Sequence, residues 1–353
     1  MQRIANIIVV GCGSWSTHAH LPSLVENPVA RIVGAVDTNL EARTNARKKF
    51  GAMVCSESLE EILPMVSAEG VVIATPHSTH YQIAKTALLA GLHVLIEKPM
   101  VLEPVHGSEL MTIAKKVNRQ IIVGYPWHFN PQVKELRKLI LAEEIGEIES
   151  AFCFFASSPR EYYHGNPDEV QKYVPMEKQP RPETFSDPSL AGGGQGQTQL
   201  THSAALLFWL TGLQPQHLSA MTESFELPSS MDIVDSATVR FSNGALGTIA
   251  STGGKSLAHP EDILELRIFG SRGHVIFNVM KGEAKVFYPD GKYIYLGSLS
   301  EYSKYPHFAP AQNLVDVILG KAENLSPATV GQTTVEFIKA MYDSAKSGCI
   351  VTV

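Results

Sequence analysis

The stretch IIVVGCGSWS, residues 7–16, is an apolar run that passes directly into a glycine turn. Four consecutive β-branched residues favour a buried strand, and the glycines favour a tight turn before a helix. In the fingerprint G-x-G-x-x-G, the first glycine permits the turn and the second lets a pyrophosphate approach the backbone. The third position lets the helix pack close to the sheet. Gly11, Gly13 and the small residue Ser16 occupy these positions.

An acidic residue follows at the spacing that a nucleotide ribose requires. Asp37 comes directly after the apolar run RIVGAV, residues 31–36. A carboxylate at the end of the second strand accepts hydrogen bonds from the adenosine ribose hydroxyls. The alternative is a glycine turn that merely links a strand to a helix. We predict a dinucleotide site contacted by Gly11, Gly13, Ser14, Trp15, Ser16 and Asp37.

The residues after Asp37 bear on the choice of cofactor. Thr38 and Asn39 are uncharged, which favours NAD, because a basic residue would be expected beside the 2′-phosphate of NADP. Arg43 and Arg47 lie further along and leave NADP open as an alternative.

Short apolar runs alternate with amphipathic segments through the first third of the chain. This alternation predicts a parallel sheet with helices on both faces, because each parallel crossover needs a covering helix. The predicted strands are 7–10, 31–36, 71–75, 93–97 and 120–124, and the predicted helices are 39–50, 57–66, 79–90 and 105–118. We predict that residues 1–124 form a Rossmann domain.

The pattern changes after residue 125. The segment 157–190 is polar, rich in proline and weakly periodic, which is typical of a functional or a disordered loop. Later runs alternate and are joined by turns such as SNG and PDG, which predicts an antiparallel sheet. The other predicted elements are a helix at 131–143, a strand at 147–156 and helices at 199–212, 308–320 and 330–347. Residues 125–353 are predicted to form a second α/β domain.

Composition excludes several classes of function. A formal net charge of −6 argues against nucleic-acid binding, which needs a basic face. No apolar run approaches the ~20 residues of a membrane span. The four cysteines lack CxxC spacing, so we predict a reduced, cytoplasmic location.

Three stretches resemble the Gfo/Idh/MocA family, which includes glucose–fructose oxidoreductase and inositol dehydrogenases. ATPHSTHYQIAKTALLAGLHVLIEKPM, residues 74–100, resembles the family signature TPNxxH…EKP, with His77 at the position of its usual Asn. GGGQGQTQLTH, residues 192–202, resembles GGGxxxDxGxH. The last 23 residues, 331–353, resemble the family's C-terminal helix and strand. EKP after an apolar strand is the most specific of these elements.

The resemblance implies a Rossmann domain followed by an α/β domain with a large, mainly antiparallel sheet. In the family, the second domain binds the substrate beside the nicotinamide ring, and one face of its sheet takes part in oligomer contacts. A homodimer or homotetramer is therefore expected. The resemblance adds cofactor contacts at Thr75, Pro76, His77, His80, Glu97 and Lys98.

Lys98 is the predicted catalytic residue beside the nicotinamide. It follows a buried strand, where the carboxyl ends of parallel strands form the cofactor crevice. Burial there lowers the pKa of a lysine and helps it share a proton with a reacting hydroxyl. Glu97 is predicted to orient Lys98 or to contact the cofactor ribose, and Pro99 is a candidate for a cis peptide bond. A solvated lysine at a strand end is the alternative.

His202 is the second predicted catalytic residue. The family places an Asp four positions before this His, on the same face of a helix, and Thr198 replaces it here. Without the carboxylate, we expect His202 to keep a pKa near its ordinary value of about 6.5. Gln195, Gln197 and Gln199 supply amides suited to sugar hydroxyls. A buried helix histidine satisfied in the core is the alternative.

Further candidates rest on weaker patterns. Trp127 and His128 lie where the family carries an Arg or aromatic residues facing the active site, and core packing explains them equally well. The segment Tyr162–His164 forms either a substrate lid or a surface loop. HAH at 18–20 and HSTH at 77–80 suggest a metal, but no Cys or carboxylate set completes a ligand group, so no metal is predicted.

The function implied by the resemblance is hydride transfer between NAD(P) and a secondary hydroxyl of a sugar, polyol or sugar derivative. One alternative is an oxidation–elimination reaction on a glycoside, in which NAD is regenerated within the cycle. Another is a non-enzymatic regulator that responds to NAD. The intact EKP motif and His202 favour an enzyme.

Overall fold

The computed structural model describes residues 3–228, 231–259 and 261–353. The chain divides into two compact units. Unit 1 comprises Met1–Pro126, Val174–Thr184 and His307–Gln332, and unit 2 comprises Trp127–Tyr173, Phe185–Pro306 and Thr333–Val353. The functional division at residue 124 stays a prediction. The structure adds that two later segments of the chain return to unit 1.

The α-helices vary from single turns to twenty residues. In chain order they are α1 Leu21–Glu26, α2 Leu40–Phe50, α3 Leu59–Ile62, α4 His80–Leu89, α5 Pro104–Val117, α6 Pro131–Leu141, α7 Arg160–Tyr163, α8 Pro167–Gln171, α9 Glu183–Ser186, α10 Pro188–Ala191, α11 Thr201–Thr211, α12 Glu301–Lys304, α13 Ala309–Ile318 and α14 Ala328–Ser347. Two π-helical turns, Ser16–His20 and Gly196–Leu200, lead into α1 and α11, and 3-10 turns occur at Leu63–Met65, His77–Thr79 and Pro126–Phe129.

Unit 1 contains a parallel sheet of six strands. They are β1 Ala5–Val10, β2 Ala30–Val36, β3 Val54–Ser56, β4 Gly70–Ile73, β5 His93–Ile96 and β6 Ile121–Val123. Their order is β3-β2-β1-β4-β5-β6, with every neighbouring pair parallel. This is the doubly wound order of a Rossmann domain, so the predicted fold is confirmed. Only β3 was missing from the prediction, because three residues are too few to form a recognisable apolar run.

A helix from near the end of the chain completes the core of unit 1. Leu314 and Ile318 of α13 pack with Leu24 of α1 over buried strand residues such as Ile7 and Val9. The predicted boundary at residue 124 places this helix in the second domain. Hydrophobic periodicity indicates that a helix is amphipathic, but it does not indicate which sheet its apolar face covers.

Unit 2 is built around a nine-stranded sheet. Its strands are β7 Ile148–Ala156, β8 Pro215–Glu223, β9 Val234–Phe241, β10 Leu246–Thr252, β11 Ile263–Gly270, β12 Gly273–Asn278, β13 Glu283–Phe287, β14 Tyr293–Leu296 and β15 Val351–Thr352. The order is β14-β13-β12-β11-β7-β10-β9-β8-β15, and only the β7–β10 pair is parallel. The predicted, mainly antiparallel sheet is confirmed.

Helix α11 is the central helix of unit 2. All eleven of its residues are buried, and it packs against β7 and α6. A helix that is apolar on every side is stable only when it is enclosed, which explains the run AALLFWL. The polar residues at its start, Thr201 and His202, are therefore held on a rigid, buried element.

Candidate cofactor and substrate sites

The first glycine turn lies in unit 1 at the ends of β1 and β4, where the strand order reverses. Gly11 has a φ of +85°, and a Cβ there would overlap the carbonyl oxygen of Ala74. The Gly11 N–H donates to the Val36 carbonyl at 2.8 Å, and the Ser16 hydroxyl donates back to the Gly11 carbonyl. A Cβ on Gly13 would meet nothing within 4 Å. This open space beside a helix start fits the pyrophosphate of a dinucleotide.

Asp37 is fixed at the end of β2. One carboxylate oxygen accepts the Cys12 N–H at 2.8 Å, and the other accepts the Asn39 N–H at 2.8 Å. A carboxylate has about four lone-pair sites, so acceptor capacity remains for ribose hydroxyls. Arg43 donates to the carbonyl oxygens of Asp37 and Thr38 at 2.9 and 3.1 Å, which holds the guanidinium behind this turn.

Glu97 is a buried carboxylate with several donors. Trp15 Nε1 and His20 Nε2 donate to Oε1 at 2.8 and 2.9 Å, and the Lys98 N–H donates to Oε2 at 3.2 Å. Gly124 leaves room for the carboxylate, because a Cβ there would lie 2.6 Å from Oε1. Burial opposes ionisation, but the hydrogen bond and charge of His20, with the charge of Lys98, hold the pKa of Glu97 below its ordinary value.

Lys98 follows Glu97 at the carboxyl end of β5 and is partly buried. Burial lowers its pKa from 10.5 to about 8, against the opposing effect of the Glu97 charge. The Lys98–Pro99 peptide bond is cis, which confirms that prediction. A lysine amine with a pKa of about 8 exchanges protons near neutral pH, as a general acid or base must.

The remaining predicted cofactor residues also lie at the strand ends of unit 1. His80 is fully buried, with its ring nitrogens 2.9 Å from the Pro99 carbonyl and 3.0 Å from the Thr75 carbonyl. Burial lowers the pKa of His80, and its ring lies between the turn after β4 and the turn after β5. The ring of His77 packs against His80, with centroids 5.7 Å apart. The structure thus brings together the ends of β1, β2, β4 and β5, which carry Gly11, Gly13, Ser14, Trp15, Ser16, Asp37, Thr75, Pro76, His77, His80, Glu97 and Lys98.

The second glycine run lies in unit 2 and surrounds a buried carboxylate. The Gly194 and Gly196 N–H groups donate to the two oxygens of Asp232 at 2.9 and 2.6 Å, and the Tyr342 hydroxyl donates at 2.8 Å. A Cβ on Gly193 would lie 2.6 Å from the Tyr342 hydroxyl, and one on Gly194 would overlap the Asp232 backbone. Close packing against Asp232 and Tyr342 therefore requires these glycines. The family resemblance implies that this run also forms a wall of the substrate pocket, which stays a prediction.

Asp235 lies near Asp232 and is fully enclosed. The Ser251 hydroxyl donates to its Oδ2 at 2.8 Å. Burial, together with the charge and hydrogen bond of Asp232, raises the pKa of Asp235 well above its ordinary value. The protonated form of Asp235 is therefore favoured over a second negative charge beside Asp232.

Thr198, at the position of the family's Asp, lies in the π-helical turn before α11. Its hydroxyl donates to the Gly194 carbonyl at 2.8 Å and forms a short hydrogen bond with the Tyr163 hydroxyl. Tyr163 also lies 3.2 Å from Gln195 Oε1, and Gln195 Nε2 donates to the Ser157 hydroxyl at 3.3 Å. Tyr163 is only 2% exposed and lies in the core, whereas Tyr162 is half-buried and His164 is exposed.

His202 and Trp127 contact each other within unit 2. Their rings meet edge to face, with centroids 5.5 Å apart, and Trp127 also contacts Phe155 and Tyr305. Trp127 is 4% exposed, and within the described chain its buried indole N–H has no hydrogen-bond partner. A buried donor without a partner is costly, which is consistent with a substrate oxygen as its acceptor.

His128 occupies a different environment from Trp127. It is fully buried, stacks on Trp209 with ring centroids 4.8 Å apart, and has a ring nitrogen 3.4 Å from the Ala205 carbonyl. Burial lowers its pKa to about 3, so the ring is neutral. These contacts favour core packing, and a contact between His128 and a substrate stays a prediction.

Sequence reasoning missed part of both sites. His20 entered only as part of an HAH pattern, and Asp232, Asp235 and Tyr342 were not identified. Each acts through a partner distant in the sequence, such as Glu97, 77 positions from His20. The one available signal was the density of glycines at 192–196, which indicates that something packs closely against the backbone.

Within residues 3–228, 231–259 and 261–353, no cluster of three or more His, Cys, Asp or Glu side chains has the arrangement of a metal site. Among the helices of the same ranges, none has the length and hydropathy of a membrane span.

Two family models match most of the chain. Residues 5–125 match the model of an oxidoreductase family with an NAD-binding Rossmann fold, and residues 133–276 match the GFO/IDH/MocA C-terminal domain. The chain belongs to the Gfo/Idh/MocA oxidoreductase family, as its motifs predicted. Unit 1 therefore contains the family's NAD-binding domain.

Individual relatives are distant in sequence. The chain is 30% identical over 224 residues to the uncharacterized oxidoreductase YfiI of Bacillus subtilis (strain 168), covering 61% of this chain but 53% of that protein. It thus spans about half the length of the first curated relatives it matches. It is 23% identical over 295 residues to the rhizopine catabolism protein MocA of Rhizobium meliloti, covering 82% of each. Levoglucosan dehydrogenase, solved with NADH and levoglucosan, superposes with a TM-score of 0.80 at 20% sequence identity. The superposition covers 99% of this chain and 100% of that one, which shows a shared fold.

Proposed function

We propose that the protein is an NAD-dependent dehydrogenase that oxidises a secondary hydroxyl of a sugar, polyol or sugar derivative. The observation that carries this proposal is Lys98. It lies at the carboxyl end of β5, in the same domain as the NAD-binding turn, and its pKa is lowered to about 8. A non-catalytic NAD-binding protein has no requirement for a lysine poised to transfer protons.

Each group has a proposed task. NAD, when bound, supplies the hydride acceptor. Lys98 takes up or shares the hydroxyl proton, and His202 assists in the same reaction, as the family motif suggests. Trp127 is proposed to bind a substrate hydroxyl, because an indole N–H binds a neutral oxygen without adding charge, whereas the amide of the fully buried Gln195 is engaged by Tyr163 and Ser157.

The test is an assay of the purified protein with NAD and a panel of inositols, aldoses, uronic acids and glycosides, followed by the absorbance of reduced nicotinamide. Lys98→Met should abolish turnover and leave the Kd for NAD within about twofold, because the change removes the amine but keeps the length of the chain. Lys85→Met is the matched control, since Lys85 pairs with Glu109 on the surface of α4 and α5. Normal turnover by Lys98→Met would refute the assigned role.

If no reduced nicotinamide appears, measurements of aglycone release and of NAD binding separate two other functions. Release of an aglycone from a glycoside without net reduction of NAD would indicate oxidation followed by elimination. Tight NAD binding with no conversion of any compound would indicate a regulator. Either outcome would reject the dehydrogenase proposal.

The cofactor is proposed to be NAD in preference to NADP. The Asp37 carboxylate would repel a 2′-phosphate, and Arg43 is already engaged by two carbonyls and by Glu57, which is 2.6 Å away. We expect the Kd of NADP to exceed that of NAD by about tenfold or more. Asp37→Ser should reduce this ratio, and an unchanged ratio would exclude Asp37 as its cause.

A homo-oligomer is proposed through the open face of the nine-stranded sheet. Phe152 and Phe154 of β7 are each 42% exposed, and Phe269 and Ile276 on neighbouring strands are also exposed. Clustered exposed apolar side chains on a sheet favour association. Phe154→Ser should shift the mass measured by light scattering toward the monomer, whereas an unchanged mass would place the contact elsewhere. A cytoplasmic location also remains a prediction.

A further inference from the structure

Tyr163 is held rigidly within unit 2. It ends the one-turn helix α7, and its ring packs with the buried residues Leu227, Met231 and Ile233. Fixing a ring in an apolar cluster removes most of its rotational freedom, so the position of the hydroxyl is determined. That hydroxyl lies at the π-helical turn Gly196–Leu200.

The contacts of the Tyr163 hydroxyl are specific. It forms a short hydrogen bond with Thr198 and lies 3.2 Å from Gln195 Oε1. Thr198 donates its one proton to the Gly194 carbonyl at 2.8 Å, so the one proton of Tyr163 lies between two acceptors, the Thr198 hydroxyl and Gln195 Oε1. Burial, with the nearby acidic side chains, raises the pKa of Tyr163 well above its ordinary value, so the hydroxyl keeps its proton.

The hydrogen bond between Tyr163 and Thr198 matters because of where Thr198 lies. Thr198 replaces the Asp of the family motif, four residues before His202, and the π-helical turn that contains it leads directly into α11. A threonine hydroxyl alone has one proton and bonds weakly, whereas a threonine anchored by a buried tyrosine has a fixed orientation. The carboxylate of the motif is thus replaced by a pair of hydroxyls.

We propose that Tyr163 is a positioning residue that, through Thr198, fixes the turn leading into the His202 helix. Its role in catalysis rests on the proposed function, whereas its effect on the turn does not. The proposal assigns to α7, at the start of the proline-rich segment, a supporting role for this turn. The competing explanation is that only the ring of Tyr163 matters, as a packing group.

Two matched pairs of variants distinguish these explanations. Tyr163→Phe removes the hydroxyl and keeps the ring, and Tyr162→Phe makes the same change at the neighbouring residue, whose ring contacts Phe185. Thr198→Val removes the other hydroxyl at nearly constant shape, and Thr198→Ser retains it. The double variant Tyr163→Phe/Thr198→Val measures the coupling between the two groups.

Hydrogen exchange of the peptide covering residues 196–202, measured by mass spectrometry, is the first readout because it needs no substrate. We expect exchange about tenfold faster in Tyr163→Phe and Thr198→Val, no further increase in the double variant, and wild-type exchange in Tyr162→Phe and Thr198→Ser. Wild-type exchange in Tyr163→Phe, or additive effects in the double variant, would overturn the proposal.

Turnover is the second readout. With a substrate from the panel, Tyr163→Phe should lower kcat about tenfold and leave the KM for NAD unchanged, because unit 1 is not altered. An unchanged kcat alongside faster exchange would overturn the catalytic part of the proposal. Wild-type protein without turnover would instead reject the proposed function, and the exchange result would still decide the positioning role.

Discussion

The protonation of Lys98 can be measured without knowing the substrate. With a pKa of about 8, about a tenth of the Lys98 amine is unprotonated at pH 7 and about nine-tenths at pH 9. A lysine with the ordinary pKa of 10.5 would be only about 3% unprotonated at pH 9. The reactivity of Lys98 should therefore rise about tenfold between these pH values and then level off.

The assay is competitive labelling of amines with a trace acylating reagent, with each peptide quantified by mass spectrometry. Lys85 is the internal reference, because its hydrogen bonds to Glu109 and Tyr81 raise its pKa above 10.5. Labelling of Lys85 should still increase about tenfold per pH unit at pH 9, where labelling of Lys98 is levelling off.

Glu97→Gln supplies the perturbation that tests the cause. The Glu97 charge raises the pKa of Lys98, so removing that charge should move the midpoint below pH 8. The amide oxygen can still accept a hydrogen bond from Trp15 or His20. A Lys98 profile that rises without a plateau to pH 9.5, parallel to that of Lys85, would refute the inference that burial depresses this pKa. A midpoint unchanged by Glu97→Gln would refute the role of the carboxylate.

Two further sets of variants test the glycine turn and the buried acid pair. Gly11→Ala should lower the Tm, with a loss of about 1–3 kcal/mol in folding free energy, because Gly11 has a φ of +85° and a Cβ there would overlap Ala74. Gly13→Ala should keep the wild-type Tm but weaken NAD binding about tenfold or more. Equal effects of the two variants would contradict a structural role for Gly11 and a binding role for Gly13. The pKa of Asp235 is higher in the folded protein than in the unfolded chain, where it is about 3.9. Asp235 therefore stabilises the fold fully below about pH 3.9, and this stabilisation is lost as the pH rises toward the pKa of the folded state. Asp235→Asn, which resembles the protonated acid, should therefore gain in Tm relative to wild type between pH 4 and pH 8, and a constant difference over this range would exclude a raised pKa.

The fold was largely predictable because its determinants are local. Strand β1 and its glycine turn form a continuous pattern, and the alternation of strands and helices fixes the class of the first sheet. The grouping of the proposed cofactor residues was also predictable, since a doubly wound sheet brings the carboxyl ends of its strands to one edge. Lys98 is an example, because its sequence context alone indicated burial and a lowered pKa.

The buried polar side chains that contact the second glycine run were not predictable from the sequence. Tyr163 and Asp232 meet the glycine run from 35 and 38 positions away in sequence, through single side-chain contacts that leave no periodic pattern. Hydrophobic pattern identifies which residues are buried, but buried polar partners are selected by geometry that only the folded chain specifies. The loss of the motif's Asp indicated a change at Thr198 without indicating its compensation by Tyr163.

The return of α13 to unit 1 has a consequence for synthesis of the protein. The last strand of the parallel sheet, β6, leaves the ribosome about 190 residues before α13 does. At about 5–20 residues per second, the face of the sheet that α13 covers waits on the order of 10–40 s for its helix. During that interval the nascent domain exposes this apolar surface to chaperones and to other nascent chains. A fragment that ends at Pro126 would keep the surface exposed permanently, because it lacks α13.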